Sequence, residues 1–138
     1  MQSFYAMFPW MFSSKIDDGL KEMMRSTMGD FRAIKFGAAE VQQLCSALEK
    51  KGKDILGVET LWLGDCDLGD DGVKALMATM RNYGSRLECL SLRSNSIGDA
   101  GVMALASSLL YCANLQRLYL GDNSIGEVGS KAVLESMP

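Results

Sequence analysis

Residues 87–101, LECLSLRSNSIGDAG, decide the fold. Leu87, Leu90 and Leu92 are spaced by three and then two positions, and Asn95, Ile97, Gly98, Asp99 and Gly101 follow. The same arrangement recurs upstream in residues 58–72, VETLWLGDCDLGDDG, and downstream in residues 115–129, LQRLYLGDNSIGEVG. The copies start 29 and 28 residues apart and align without gaps. Matching glycines in three in-register copies mark an internal repeat, which takes precedence over any single motif. Apolar helical stretches follow the copies: Val73, Leu76, Met77 and Met80 after the first, and Val102, Leu105, Ala106 and Leu109 after the second. One such unit cannot bury both its strand and its helix. Neighbours must stack, with the strands in a parallel sheet on the concave side and the helices on the convex side.

The pattern extends outward in weakened form. FRAIKF, residues 31–36, places Phe31, Ile34 and Phe36 in the leucine slots 27 residues before Val58, without the asparagine and Gly-Asp elements. Its helix is predicted in AAEVQQLCSALEKKGK, with Val41, Leu44, Cys45 and Leu48 on one face. Residues 13–30, SSKIDDGLKEMMRSTMGD, are expected to form a capping helix that covers the solenoid's first edge. There Ser14 and Asp17 fit a capping box, Ile16, Leu20, Met23, Met24 and Met28 form the apolar stripe, and Gly29 sits at the C-terminal stop. Residues 1–12 form an aromatic arm with Phe4, Tyr5, Phe8, Trp10 and Phe12 and no charged side chain. Residues 31–138 are then the solenoid, one degenerate and three clear repeats. No polar capping unit follows KAVLESMP at residues 131–138, so the last apolar edge is expected to meet a partner or further chain.

The shared pattern L-x-x-L-x-L-x-x-N/C-x-L/I-G-D/E-x-G resembles the leucine-rich repeat family, and its period resembles the ribonuclease-inhibitor-like subclass. The resemblance implies a right-handed α/β solenoid with a concave parallel sheet and convex helices. It also implies that Asn95 and Asn123, with Cys66 in the same slot, hydrogen-bond backbone groups in the turn after each strand. The non-leucine strand positions would then face the concave side. These include Arg32 and Lys35, Glu59 and Trp62, Glu88, Cys89 and Ser91, and Arg117 and Tyr119, with Asp65, Arg93 and Asp122 beside them.

Composition limits the chemistry this surface can perform. The 138 residues contain no histidine, which removes histidine acid–base catalysis and imidazole-containing zinc sites. No phosphate-binding loop with its lysine is present. A net charge of −3 and a pI near 4.9 oppose nucleic-acid binding. Cys45, Cys66, Cys89 and Cys112 form no CxxC pair, and without a secretory leader or cysteine density they read as reduced thiols of an intracellular, cytoplasmic or organellar protein. Asp65, Asp67, Asp70 and Asp71 resemble a calcium loop at first sight. Counted from Asp65, however, the sixth position is Asp70 and the twelfth is Leu76, which breaks the EF-hand rule. Asp70 aligns with Asp99 and Glu127 and reads as a helix-start acid.

Binding is therefore the expected activity, with no catalytic residue, cofactor or metal. The predicted concave contact set is Glu59, Trp62, Asp65, Glu88, Arg93, Arg117, Tyr119 and Asp122, because aromatic and arginine residues ringed by charge are typical hot spots. The stacked acids Glu59 and Glu88 repel unless a partner's basic group or Arg32 relieves them. The second predicted contact set is the arm: Phe4, Tyr5, Phe8, Trp10 and Phe12. The expected role is a small scaffold or accessory subunit of a multi-protein assembly. One alternative is a regulatory module of the GTPase-activating-protein type, and another is a fragment of a ligand-recognition receptor. A third is a peripheral subunit that touches a membrane surface or membrane complex through residues 1–12.

Overall fold

A computed structural model describes residues 15–52 and 57–137. The elements are α1 (Lys15–Arg25), β1 (Met28–Asp30), α2 (Ala38–Gly52), β2 (Thr60–Trp62), α3 (Gly69–Tyr83), β3 (Cys89–Ser91), α4 (Asp99–Ser108), β4 (Arg117–Tyr119) and α5 (Glu127–Ser136). A 3₁₀ turn, Leu109–Tyr111, extends α4. All strand pairs are parallel, and the sheet runs β1-β2-β3-β4 in chain order. Parallel neighbours need a crossover, and α2, α3 and α4 supply the three. Successive helices α2 to α5 pack against one another as a second layer. The fold is thus the α/β leucine-rich-repeat solenoid that the repeat implied. No helix among the described residues is long and apolar enough to cross a membrane.

The core lies between the two layers. Leu61, Leu63, Leu90 and Leu92 project from the strands and are completely buried. Val73, Leu76, Met77 and Met80 of α3 meet them, as do Val102 and Leu105 of α4. Each such side chain contributes about 1.5–3 kcal/mol by leaving water. The helix stripes predicted from spacing are the buried faces, including Val41, Leu44, Cys45 and Leu48 of α2.

The first unit differs from the sequence reading. Helix α1 stops at Arg25, and residues 28–30 are a strand instead of the last turn of a cap. Met24 and Met28 are exposed at 39% and 44%, so neither belongs to the buried stripe. Gly29 pairs with Leu61, an offset of 32 residues rather than 27, so the sheet begins at Met28 and not at Phe31. Phe31 therefore occupies the place of Leu63: its N–H donates to the Trp62 carbonyl as that of Leu63 donates to Ser91. The left-handed residue Ala33 (φ 63°) matches Asp65, Ser94 and Asp122 (φ 57°, 55° and 56°) in the other turns, which fixes the same register.

The physical reason is volume. Gly29 stands where the other units carry leucine, and the Phe31 ring fills the space: a Cβ on Gly29 would lie 2.9 Å from Phe31 Cε2. Phe36 packs edge-on against Phe31, with ring centroids 5.9 Å apart. Above them, a Cβ on Gly19 would lie 2.7 Å from Phe31 Cε1, so only glycine lets α1 settle onto that ring.

Two polar ladders join the units. Asn95 Oδ1 accepts from the N–H groups of Cys66 and Leu68, and its Nδ2 donates to the carbonyls of Leu63 and Arg93. Asn123 repeats this for Asn95 and Ile97 and donates to Leu92. The acids form the second ladder. Asp70 Oδ1 accepts from Gly98 at 2.8 Å and Gly101 at 3.0 Å, while Asp99 Oδ1 accepts from Gly126 and Gly129. Each acid thus caps the helix of the next unit instead of its own, as the sequence reading had it. This also accounts for the glycines at 101 and 129: a Cβ at either would lie 2.5 Å from the capping oxygen.

Candidate functional site

The concave surface is organised in rows, because parallel strands in register place equivalent residues side by side. Trp62, Ser91 and Tyr119 form one row, with Asp30 of β1 at its end. Strands two apart are separated by about 9.6 Å. The Trp62 and Tyr119 rings nevertheless stack at a centroid distance of 6.1 Å and an interplanar angle of 25°. They lean together over Ser91, which is left 4% exposed. A small residue between two aromatics makes this closure possible.

Arg32 completes the row from the β1 side. Its guanidinium carbon lies 5.7 Å from the Trp62 ring centroid. Asp30 holds it bidentately, with Nε 2.9 Å from Oδ1 and Nη2 2.7 Å from Oδ2. The hydrogen bond from Arg32 keeps the Asp30 carboxyl below its usual value. Trp62 is therefore held between Arg32 and Tyr119 and is only half-exposed. Tyr119, at 40% exposure, offers the freer ring.

The surrounding charges fall into two groups. On one rim, Lys35 pairs with Asp65 at 3.6 Å and Arg93 with Asp122 at 3.5 Å. These pairs are exposed and add little to stability. On the other side, Glu59 and Glu88 stand next to each other: the Glu59 carbonyl accepts from the N–H groups of Glu88 and Cys89. Neither glutamate, nor Arg117, makes an ion pair or side-chain hydrogen bond with another described residue.

The structure corrects two further expectations on this face. Cys89 is 1% exposed, so no thiol is presented to a partner. Arg32 pairs with Asp30 and stacks on Trp62, so it does not neutralise Glu59. The sequence reading missed Asp30 as its anchor, because the shift in register hid that Asp30 and Trp62 are neighbours. All four cysteines are free and buried. Burial pushes the Cys45 and Cys112 thiols up and that of Cys66 to about 11. Cys66 instead donates to the Phe31 carbonyl at 2.9 Å as a structural group. The apparent calcium loop also separates by role: Asp65 pairs with Lys35, Asp70 caps α4, and Asp67 and Asp71 are exposed. The arm residues Phe4, Tyr5, Phe8, Trp10 and Phe12 lie outside the described residues.

Comparison with known proteins follows the same repeats. The profile described as Leucine Rich repeat matches residues 58–77, 86–106 and 111–134. Ribonuclease inhibitor of Sus scrofa is 36% identical over 75 residues, which is 54% of this chain and 16% of the relative. NACHT, LRR and PYD domains-containing protein 1a allele 1 of Rattus norvegicus is 41% identical over 69 residues, 50% of this chain and 5% of the relative. The chain thus spans only a small part of the length of these relatives. Among solved structures, Leiomodin-1 Actin-Binding Site 2 (ABS2) superposes with a TM-score of 0.73 at 17% identity, over 90% of this chain and 73% of that one. This last likeness speaks for the fold.

Proposed function

We propose that this chain, a leucine-rich repeat protein of the ribonuclease-inhibitor-like type, is a non-catalytic module that binds another protein through its concave sheet. Leucine-rich repeat proteins generally mediate protein–protein interaction, which gives the coarse reading its footing. The finer reading rests on one observation: the Arg32–Trp62–Tyr119 row is pre-stacked on an open sheet. Three large side chains already ordered in the free protein lose little entropy on binding, and aromatic and arginine residues dominate interface energetics. The role we assign is a small scaffold or accessory subunit of an intracellular assembly, with Glu59, Glu88 and Arg117 at the contact. Asp65, Arg93 and Asp122 frame the far rim.

The test begins with a protein that co-purifies with the tagged chain, followed by titration of the two purified components. Tyr119→Ala is expected to weaken binding by about 2 kcal/mol, roughly thirtyfold, as a hot-spot aromatic does. Circular dichroism should remain that of the wild type, since Tyr119 is not a core residue. Unchanged affinity in both Tyr119→Ala and Trp62→Ala would remove the concave face from the reading. Deletion of residues 1–12 in parallel reports whether the arm contributes a separate contact.

A further inference from the structure

The concave face holds two carboxylates that have no counter-charge among the described residues. Glu59 and Glu88 immediately precede β2 and β3, and the Glu59 carbonyl accepts from the N–H groups of Glu88 at 2.7 Å and Cys89 at 3.0 Å, so the two acids enter neighbouring strands at the same level. Like charges directly opposite on a sheet repel. The nearby cations are otherwise occupied or oriented: Arg32 is held by Asp30, Lys35 lies against Asp65, and Arg93 against Asp122. Arg117, the first residue of β4, is in register with Cys89 and lies within salt-bridge distance of neither acid. Both glutamates are half-buried, which strengthens their field relative to open water.

From this arrangement we infer that the partner segment on the concave face is basic, with an arginine or lysine seated against Glu59 and Glu88 and an apolar or aromatic neighbour against Tyr119. The inference rests on the protein-binding reading above and adds the chemistry of the partner. Charge complementarity carries it: among the described residues two adjacent acids lack a cation, whereas Asp30, Asp65 and Asp122 on the same face are each paired with one. An arginine suits both halves of the site, because its guanidinium can bridge two carboxylates and its flat surface can stack on a tyrosine ring.

The experiment uses the full chain and a display library of random twelve-residue peptides. Peptides selected on the wild type are synthesised and titrated against Glu59→Gln/Glu88→Gln, against Tyr119→Ala, and against Asp67→Asn/Asp71→Asn. The last variant removes the same two charges from exposed positions outside the strands, in the turn before α3 and in its first turn. The expected result is enrichment of arginine or lysine. Affinity should fall about tenfold or more in the glutamate variant, the loss of one charge-assisted hydrogen bond of about 1.4 kcal/mol, and stay within about twofold in the aspartate control. Three results overturn the inference: peptides without basic residues, equal losses in both charge variants, or no binders. Binding lost in Tyr119→Ala but kept in the glutamate variant removes only the basic partner. Indifference to both removes the concave-face reading itself.

Discussion

Cys66 and Asn95 occupy equivalent slots, and exchanging their residues tests how the turns are held. Asn95→Cys takes the acceptor away from the N–H groups of Cys66 and Leu68 and the donor away from the Leu63 and Arg93 carbonyls. A thiol can return one donor, as Cys66 does toward Phe31. Two buried N–H groups then stay unpaired, at about 1–3 kcal/mol each. Relaxation of the turn lowers the total, so the expected loss is about 2–4 kcal/mol. For a chain of this length that lowers Tm by roughly 6–20 °C. The reverse exchange, Cys66→Asn, should not help. The corresponding N–H groups in the first unit are already bonded, Ile34 to the Phe31 carbonyl at 3.1 Å and Phe36 to the Cys66 carbonyl at 2.8 Å. An added amide oxygen would have to compete for N–H groups that already have carbonyl partners, that of Ala33 with Gly64 included. Urea denaturation followed by circular dichroism measures both variants. The account fails if Asn95→Cys lies within about 0.5 kcal/mol of the wild type, or if Cys66→Asn gains more than about 1 kcal/mol.

Other predictions follow from the same contacts. Asp70→Ala should destabilise by about 1.5–3 kcal/mol, since its two charge-assisted hydrogen bonds cap α4 from the preceding unit. Gly101→Ala should cost about 1–3 kcal/mol in the wild type but clearly less in the Asp70→Ala background, because the clashing oxygen is gone; a double-mutant cycle with no coupling would contradict the ladder. Glu88→Gln should leave stability unchanged or raise it by about 0.2–1 kcal/mol through relief of repulsion, whatever it does to binding. The Cys66 thiol, held at about 11, remains neutral in the folded protein at pH values where the unfolded thiol ionises. Its contribution to stability is therefore complete below about pH 8.5 and is lost as pH rises toward 11, a slope that Cys66→Ala should reduce in denaturation measured across that range. Asp30 has the opposite sign: its carboxyl is held low, so the Arg32 clasp persists above the ordinary carboxylate value and opens as pH falls below it. In a Trp10→Phe background, Trp62 fluorescence should change below pH 3.8 and not between pH 5 and 7.

The legible part of this chain is whatever three copies say together. Leucine spacing, helix stripes and the asparagine slot each recur, so each copy checks the others, and the aligned Trp62, Ser91 and Tyr119 could be placed in one row before any coordinate. The direction of the acid ladder was not legible: periodicity shows that Asp70 and Asp99 are equivalent, but nothing in it tells whether a carboxylate caps its own helix or the next. The first unit misled for a more specific reason. Gly29 fills a leucine slot by leaving it empty for Phe31, and FRAIKF happens to carry apolar residues at the repeat spacing in a register shifted by five. That shift has a functional consequence. In the sequence register Arg32 lies one strand from Glu59 and can balance it; in the observed register Arg32 is clasped by Asp30 and stacked on Trp62. The acid pair is then left to a partner, and the arginine becomes a prop for the aromatic row. Arg32→Ala separates the two registers: the sequence register predicts stronger repulsion between Glu59 and Glu88 and no effect on Trp62, whereas the observed one predicts altered Trp62 fluorescence and unchanged recognition of the glutamate pair.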